Sequence, residues 1–377
     1  MTQMRIPAVF MRGGSSKGVF FKTDDMNVEA SERDRILLHA LGSPDAYGRQ
    51  LNGMGGGVSS VSKAVFINPS ARDDADVDYT FAQVSIDQPI VDFSTTCGNL
   101  SSAVGPFAID AGMVEATGAM TRVRVFNTNL KSIYHAHVPT RNGQFDEAGD
   151  FTIPGVSGTG SKIGLDYLSP GGASTGRLLP TGRGVDTITL GDDGDFDVSC
   201  VDSSTACVFV AAARFGLTGT ESVSMIEENA EIMQTLEHLR RRAGVLMGLA
   251  EDEDGVPLGT PKICLVAEPR GYVTLASENI PATTPHVAAR FLSMGQVHRA
   301  LPLTGAMCLA TACLINGTVA EKSCRPSDGD LLLANPSGVL PVKADVSNRA
   351  GDWVADKVTV YRTARALMEG AVLVPAA

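Results

Sequence analysis

Two small groups of residues in this chain have types suited to proton chemistry. Cys97-Gly98-Asn99 stands at the mouth of a stretch, residues 100–111, that is apolar or small on every side and closes at Gly112. A helix with no charged face is a buried helix. Its open end would present backbone N–H groups, which hold anions at the positive end of the helix dipole, together with a thiol that ionises more readily there. Lys63 closes the run Gly53-Met54-Gly55-Gly56-Gly57-Val58-Ser59-Ser60-Val61-Ser62 and precedes the apolar Ala64-Val65-Phe66-Ile67. A lysine drawn into poorly solvated surroundings loses its proton more easily and can act as a base. Each group also has a plainer reading. Free cysteines are commonly inert core residues, and lysines are commonly solvated. Residue type and spacing leave both readings open.

The elements that would position these groups can be read from periodicity. Strands are expected at residues 5–10 and 19–21, around the turn Gly13-Gly14-Ser15-Ser16-Lys17-Gly18. Ser31 is the expected cap of a helix through Ile36, Leu37, Leu38 and Leu41, closed by Gly42 and Pro44. Strands follow at 64–67, 79–86, 121–127 and 133–138. Residues 142–182, rich in Gly, Ser, Pro and Thr, read as loops and a linker ending in Leu179-Pro180-Thr181-Gly182-Arg183. Beyond them come strands at 197–201 and 207–210 and a long helical region at 221–249. A strand at 261–267 and a helix at 286–294 complete that part.

A second uncharged helix is expected within residues 302–317, opening on Thr304-Gly305-Ala306 and closing at Gly317. Upstream of it, Val201-Asp202-Ser203-Ser204-Thr205-Ala206-Cys207-Val208 repeats the strand, small-residue turn and strand found around Gly14. The chain therefore reads as two copies of one unit, each wrapping strands around one apolar helix. Two such units would bring two helix N-termini to one interdomain cleft, a favoured place for small ligands.

Composition narrows the class. The chain has 377 residues, of which 44% are hydrophobic, so a packed protein of two domains is expected. No apolar run reaches the roughly 18 residues of a membrane span, and no secretory h-region follows Met1, so the expected location is the cytoplasm without membrane association. A net charge of -11 argues against nucleic acid as a partner. Seven cysteines, an odd number with no C-x-x-C pair, suit reduced thiols and neither a disulfide frame nor a zinc site.

Several motifs fail on inspection. The run ending in Ser62-Lys63-Ala64 lacks the G-K-[ST] of a phosphate loop. Asp252-Glu253-Asp254-Gly255 would need a ligand where Ala250 stands, so it is no EF-hand. His135 and His137 share one strand face without a third ligand nearby, which reads as a surface pair. No metal and no cofactor is expected.

Taken together, Arg12-Gly13-Gly14-Ser15-Ser16-Lys17-Gly18, the glycine-rich run ending in Ser62-Lys63, Asp76-Val77-Asp78-Tyr79 with Phe81-Ala82-Gln83-Val84, and Cys97-Gly98-Asn99 resemble the PrpF family. Leu179-Pro180-Thr181-Gly182, Ala310-Thr311-Ala312 and Arg365-Ala366-Leu367-Met368-Glu369-Gly370 extend the resemblance over nearly the whole chain. It implies an α+β, diaminopimelate epimerase-like fold: two similar domains, each a mixed β-sheet around a central apolar helix. The expected domains are residues 1–184, completed by a segment near 360–377, and residues 185–359.

The family contains 2-methylaconitate cis–trans isomerases, 3-methylitaconate delta-isomerases and 4-oxalomesaconate tautomerases. The resemblance thus implies a small unsaturated polycarboxylate substrate and a cofactor-independent proton shift along an allylic system. The 2-methylaconitate reaction is the first expectation. Residues 84–89 and 367–375 look more like the methylaconitate members, and 309–315 more like the tautomerases. The family's catalytic lysine and cysteine fall on Lys63 and Cys97. Substrate binding is expected at Gly14, Ser15, Ser16, Gly98, Asn99, Thr181, Gly182, Thr304, Gly305 and Ala306. Epimerase relatives carry a second cysteine where Thr304-Gly305-Ala306 stands, with Cys308 a turn further in, so a two-thiol racemase is not expected. A homodimer and a functional link to an aconitase-like dehydratase are expectations of the same kind. The rival from another class is a non-catalytic accessory protein of such a dehydratase.

Overall fold

The computed structural model describes residues 3–191 and 194–376. In chain order the first elements are β1 (Gln3–Gly13), β2 (Ser16–Lys22), α1 (Ala30–Leu41), β3 (Lys63–Pro69), β4 (Val77–Val84), β5 (Val91–Asp92) and α2 (Ser101–Asp110). There follow β6 (Met120–Asn127), β7 (Ser132–Arg141), β8 (Gln144–Phe145), β9 (Ile163–Leu168), β10 (Asp186–Thr189), β11 (Asp195–Asp202) and β12 (Ala206–Ala211). The next are α3 (Val223–Glu227), α4 (Ala230–Leu246), β13 (Lys262–Ala267), β14 (Tyr272–Val273), β15 (Asn279–Ile280), β16 (Val287–Ser293) and β17 (Gln296–Val297). The last are α5 (Leu303–Ala312), α6 (Val319–Lys322), β18 (Leu331–Asn335), β19 (Gly338–Arg349), β20 (Asp352–Arg362) and β21 (Ala364–Pro375).

Two compact units emerge: Met1–Asp166 with Tyr361–Ala377, and Tyr167–Val360. In the first unit β1 and β2 form a hairpin, β3 runs parallel to β2, and β4 runs antiparallel to β3. The short β5 turns back on β4, α2 follows, β6 runs parallel to β4, and β7 runs antiparallel to β6. β21 returns to pair along the whole of β1. The second unit repeats this order: the hairpin β11/β12, then β13 parallel to β12, β16 antiparallel to β13, the short β17, the helix α5, β18 parallel to β16, and β19 antiparallel to β18. The helices α1 and α4 occupy matching places between the second and third strands. Each unit is thus a mixed sheet with one buried helix, as the sequence pattern implied.

Burial holds these central helices in place. Every residue of α2 from Ser101 to Ile109 is buried, although Gly105 and Pro106 are poor helix formers. Gly105 is needed for close packing, because a β-carbon there would lie 2.6 Å from Val138 Cγ2. Burial of Leu100, Val104, Phe107 and Ile109 contributes about 2 kcal/mol each, enough to offset the weak local propensity. In α5 every residue from Gly305 to Ala312 is buried.

The fold departs from the sequence reading at several places. Residues 167–184, expected with the first unit, belong to the second. Gly172 N–H donates to Asp202 O, Asp202 N–H donates to Leu178 O, and the Ser174 and Thr175 amides donate to Asp202 Oδ2. Residues 286–294 form the strand β16, not a helix. All seven of its positions are buried, so the apolar-polar alternation that marks a strand is missing. The region 221–249 is broken into α3 and α4, because the Asn229 side chain caps α4 at the Ile232 amide. Ser31 lies inside α1, whose N-cap is Glu29, while Gly42 closes the helix at φ 74° as expected. The loop region 142–182 contains β8 and β9. Among the described residues no helix is long and apolar enough to cross a membrane.

Candidate active site

In the first unit, Lys63 is the opening residue of β3, paired across to Gln83 of β4. Ala64 and Phe66 enter the core under α1. Alternation along the strand therefore turns Lys63 to the other face, toward α2. Lys63 is 7% exposed. Its Nζ donates to Gln83 Oε1 and stands 5.0 Å from the centre of the Phe81 ring. Gln83 is itself fixed, donating through Nε2 to Ser62 O at 2.9 Å and Ser59 O at 3.2 Å. Ser62 in turn receives a hydrogen bond from the buried Gln50 and donates to Val84 O. Burial pushes the Lys63 ammonium below the usual lysine range, and a negative charge on the neighbouring Cys97 pulls it partly back. Among the described residues no carboxylate pairs with it.

The thiol sits one turn before α2, which begins at Ser101 and not at Cys97. The Leu100 amide donates to Cys97 Sγ at 3.5 Å, so the sulfur takes up one of the open N–H groups of the helix. Cys97 Sγ also lies 3.8 Å from Ser16 Oγ. Its carbonyl accepts from the amide and the hydroxyl of Ser101, both at 3.0 Å. These bonds fix the backbone on both sides of the sulfur.

The β1–β2 turn closes over this helix opening. Gly14, at φ 52°, would bring a β-carbon to 2.3 Å from Asn99 Oδ1, so only glycine fits without displacing Asn99. The Asn99 side-chain Nδ2 donates to Ser15 Oγ at 3.2 Å, and Asn99 Oδ1 accepts from Arg362 Nε at 3.1 Å. The structure therefore brings Gly14, Ser15, Ser16, Lys63, Cys97, Gly98 and Asn99 to one place in the first unit. It adds Gln83 and Arg362, which the sequence reading did not assign to the site. Gln83 stands within the strand motif Phe81-Ala82-Gln83-Val84, where its residue type alone points to no role. Arg362 comes from the end of β20, far along the chain, and no local signal marked it.

Gly18 shows how closely this site is built. A β-carbon there would lie 2.9 Å from Leu100 Cδ1 and 3.0 Å from the Lys63 carbonyl oxygen. Gly18→Val is expected to cost about 1–3 kcal/mol by overpacking, read as a lower urea midpoint with an unchanged slope.

The second unit holds the other candidate residues in two segments of the chain. Thr304, Gly305 and Ala306 form the first turn of α5. Gly305 packs under the Phe291 ring, where a β-carbon would lie at 2.8 Å. Ala306 does not offer the free amide expected of it, because its N–H donates to Pro302 O at 2.8 Å. Thr181 and Gly182 lie in a turn held by Asp186, which accepts from Thr181 Oγ1 at 2.7 Å and pairs with Arg183. Close by in the chain, Gly184 backs onto Asn316 and Gly317, beyond the C-terminal end of α5. Cys308 is fully buried and donates to Val201 O at 3.3 Å, and burial raises its thiol well above the ordinary range.

Other candidates have ordinary explanations. His137 pairs with Asp166 at 2.9 Å. Among the described residues no group of three or more His, Cys, Asp or Glu is placed to hold a metal ion. A cavity of about 430 Å³, lined by Met11, Phe20, Phe107 and Asp110, opens at the C-terminal end of α2. It contains neither Lys63 nor Cys97.

A mixed sheet wrapped on one buried helix, occurring twice in the chain, is an epimerase-like fold. A hydroxyproline epimerase from Agrobacterium vitis, 13% identical, shares this fold at a TM-score of 0.50 over 98% of this chain and 93% of its own. The chain belongs to the PrpF family, whose model matches residues 3–375. It is 38% identical to a 2-methyl-aconitate isomerase of Cupriavidus necator, covering 99% of this chain and 98% of the relative. It is 39% identical to a 4-oxalomesaconate tautomerase of Pseudomonas putida, over 99% and 97% respectively. A solved methylitaconate-delta-isomerase superposes with a TM-score of 0.93 at 38% identity, covering 99% of this chain and 96% of its own.

Proposed function

We propose that this chain is a cofactor-independent isomerase that moves a proton along the allylic system of a small unsaturated polycarboxylate, with 2-methylaconitate as first substrate. The observation that carries this reading is Lys63: buried, without a carboxylate partner among the described residues, pushed toward its neutral form, and held beside the Cys97 thiol. In this reading neutral Lys63 removes the proton next to the double bond, and the electron pair spreads into the adjacent carboxylate as a dienolate. In a delta-isomerisation Lys63 or Cys97 then returns a proton at the other end of the allyl unit; in the cis–trans reaction the proton returns to the carbon it left. Bond rotation while the double bond is displaced gives the cis–trans change.

The Gly98 and Asn99 amides, with Ser15, Ser16 and the Arg362 guanidinium, supply donors for a substrate carboxylate and for the charge that develops on it. Neither backbone N–H appears in the hydrogen bonds among the described residues, so both remain open to a ligand. The open Thr304 and Gly305 amides would serve a carboxylate in the same way. Thr181 and Gly182 belong to this proposal as binding residues with less support, since the Thr181 hydroxyl is already engaged. A homodimer, and a functional coupling to an aconitase-like dehydratase that makes or uses such an acid, belong to it as well.

The test uses wild-type protein in deuterated buffer with 2-methylaconitate, 3-methylitaconate and 4-oxalomesaconate, each followed by proton NMR. Turnover of methylaconitate with one deuterium entering per isomerisation is the expected result, with slower conversion of the other two. Preferred turnover of oxalomesaconate would reassign the substrate. Inertness toward all three, with binding retained, would favour the accessory role.

A further inference from the structure

The internal repeat places a second lysine where the first unit carries Lys63. Lys63 opens β3, which runs parallel to β2 and antiparallel to β4. Lys262 opens β13, which runs parallel to β12 and antiparallel to β16. The register that pairs Lys63 with Gln83 pairs Ile263 with Leu292, which sets Lys262 opposite Ser293. Alternation decides the face. Ile263, Leu265 and Leu292 enter the core that contains α4, so Lys262 and Ser293 turn to the opposite face, which carries Phe291. That ring touches Gly305 in the first turn of α5.

A third group completes the cluster. The His298 amide donates to Phe291 O at 2.8 Å, and its Nε2 lies 2.7 Å from Ser293 Oγ. Ser293 is buried, while Lys262 and His298 are half-buried and reachable. Lys262 Nζ spends one of its three donors on Gly259 O at 3.0 Å. Arg299, exposed, adds positive charge next in the chain. The acidic neighbour is Glu227 of α3, whose carboxylate accepts the Val297 amide at 2.9 Å. Burial and then the Lys262 charge push the His298 imidazole below its usual range.

We propose that Lys262, Ser293 and His298 form a carboxylate-binding site in the second unit, at the position that corresponds to Lys63 in the first. The chemistry is that of charge-assisted hydrogen bonds: an ammonium, a hydroxyl and an imidazole are carried on one face of the β13–β16 pair, and the first turn of α5 packs on the same face through Gly305. A bound carboxylate offsets the Lys262 charge, accepts from the Ser293 hydroxyl and favours a proton on His298. The proposal rests on the reading that small polycarboxylates are the ligands of this chain.

The probe is tricarballylate, a saturated tricarboxylate that cannot isomerise, titrated into the full chain while the His298 ring is followed by NMR. The expected result is a saturable shift of the His298 ring signals and a rise in its titration midpoint, absent with the trimethyl ester. Lys262→Met should raise the His298 midpoint in the free protein and weaken the tricarballylate response at least tenfold, and Lys262→Arg should restore most of it. Ser293→Ala, which removes one hydroxyl without emptying the core, should weaken the response about threefold. Lys63→Ala should leave the His298 response in place, which separates this site from the catalytic reading. If tricarballylate binds and methylaconitate turns over while His298 does not respond, the cluster is only a brace for the β16–β17 turn and the inference fails alone. If neither binding nor turnover occurs, the polycarboxylate reading falls and takes this inference with it.

Discussion

Lys63→Met is expected to lower methylaconitate turnover about a thousandfold, within the range that a positioned acid–base group supplies, while leaving the folded chain at least as stable near neutral pH. Both effects come from the same burial. The ammonium lies over Phe81 with one neutral partner, Gln83 Oε1, so the folded chain favours the uncharged amine. Rate should then rise with pH through a midpoint below the ordinary lysine value of 10.5, because only the neutral amine accepts a proton.

The stability sign follows from linkage. A lysine depressed in the folded state binds more protons when unfolded, so its contribution worsens as pH falls from the unfolded value through the folded one. Methionine removes that loss. The variant should gain on wild type as pH drops below 10.5 and keep a constant advantage below the folded midpoint. Urea unfolding at pH 7 and pH 10, with kcat/KM across the same range, measures both effects. Wild-type turnover in the variant, with deuterium entering at the normal rate, would remove Lys63 from the mechanism.

The groups suited to chemistry were legible because they are local. A thiol at the mouth of an uncharged helix and a lysine between a glycine-rich run and an apolar strand are patterns within a dozen residues. The repeat was legible for a related reason: each unit spends its most apolar segment on a helix that must be buried. What escaped lies in pairings across the chain. Gln83 and Arg362 reach Lys63 and Asn99 only through strand register, which period-2 alternation in one segment cannot reveal. The strand β16 carries no period-2 signal, because burial on both faces erases its alternation. The expected division at 184 failed because Asp202 draws the 172–178 stretch into the second unit through backbone and side-chain hydrogen bonds. Nothing in the composition of a glycine- and serine-rich loop signals that attachment.

Cys97→Ser is expected to reduce turnover about a hundredfold and to move the acid limb of the rate profile to lower pH. The shift in the profile is the sharper prediction. A negative charge on the Cys97 sulfur holds the Lys63 proton more firmly, so removing that charge lets burial act on Lys63 without opposition and its midpoint falls. Serine suits the test because its hydroxyl can still accept the Leu100 amide at the head of α2, keeping the helix opening intact, while it stays uncharged across the range. The two roles open to the thiol separate by isotope. If Cys97 returns the proton, the variant should still exchange substrate hydrogen with solvent through Lys63 while net isomerisation drops, so exchange outpaces product formation. If the thiol only shapes the site, exchange and isomerisation should fall together. An acid limb that stayed in place in Cys97→Ser would contradict the electrostatic coupling and leave Lys63 depressed by burial alone.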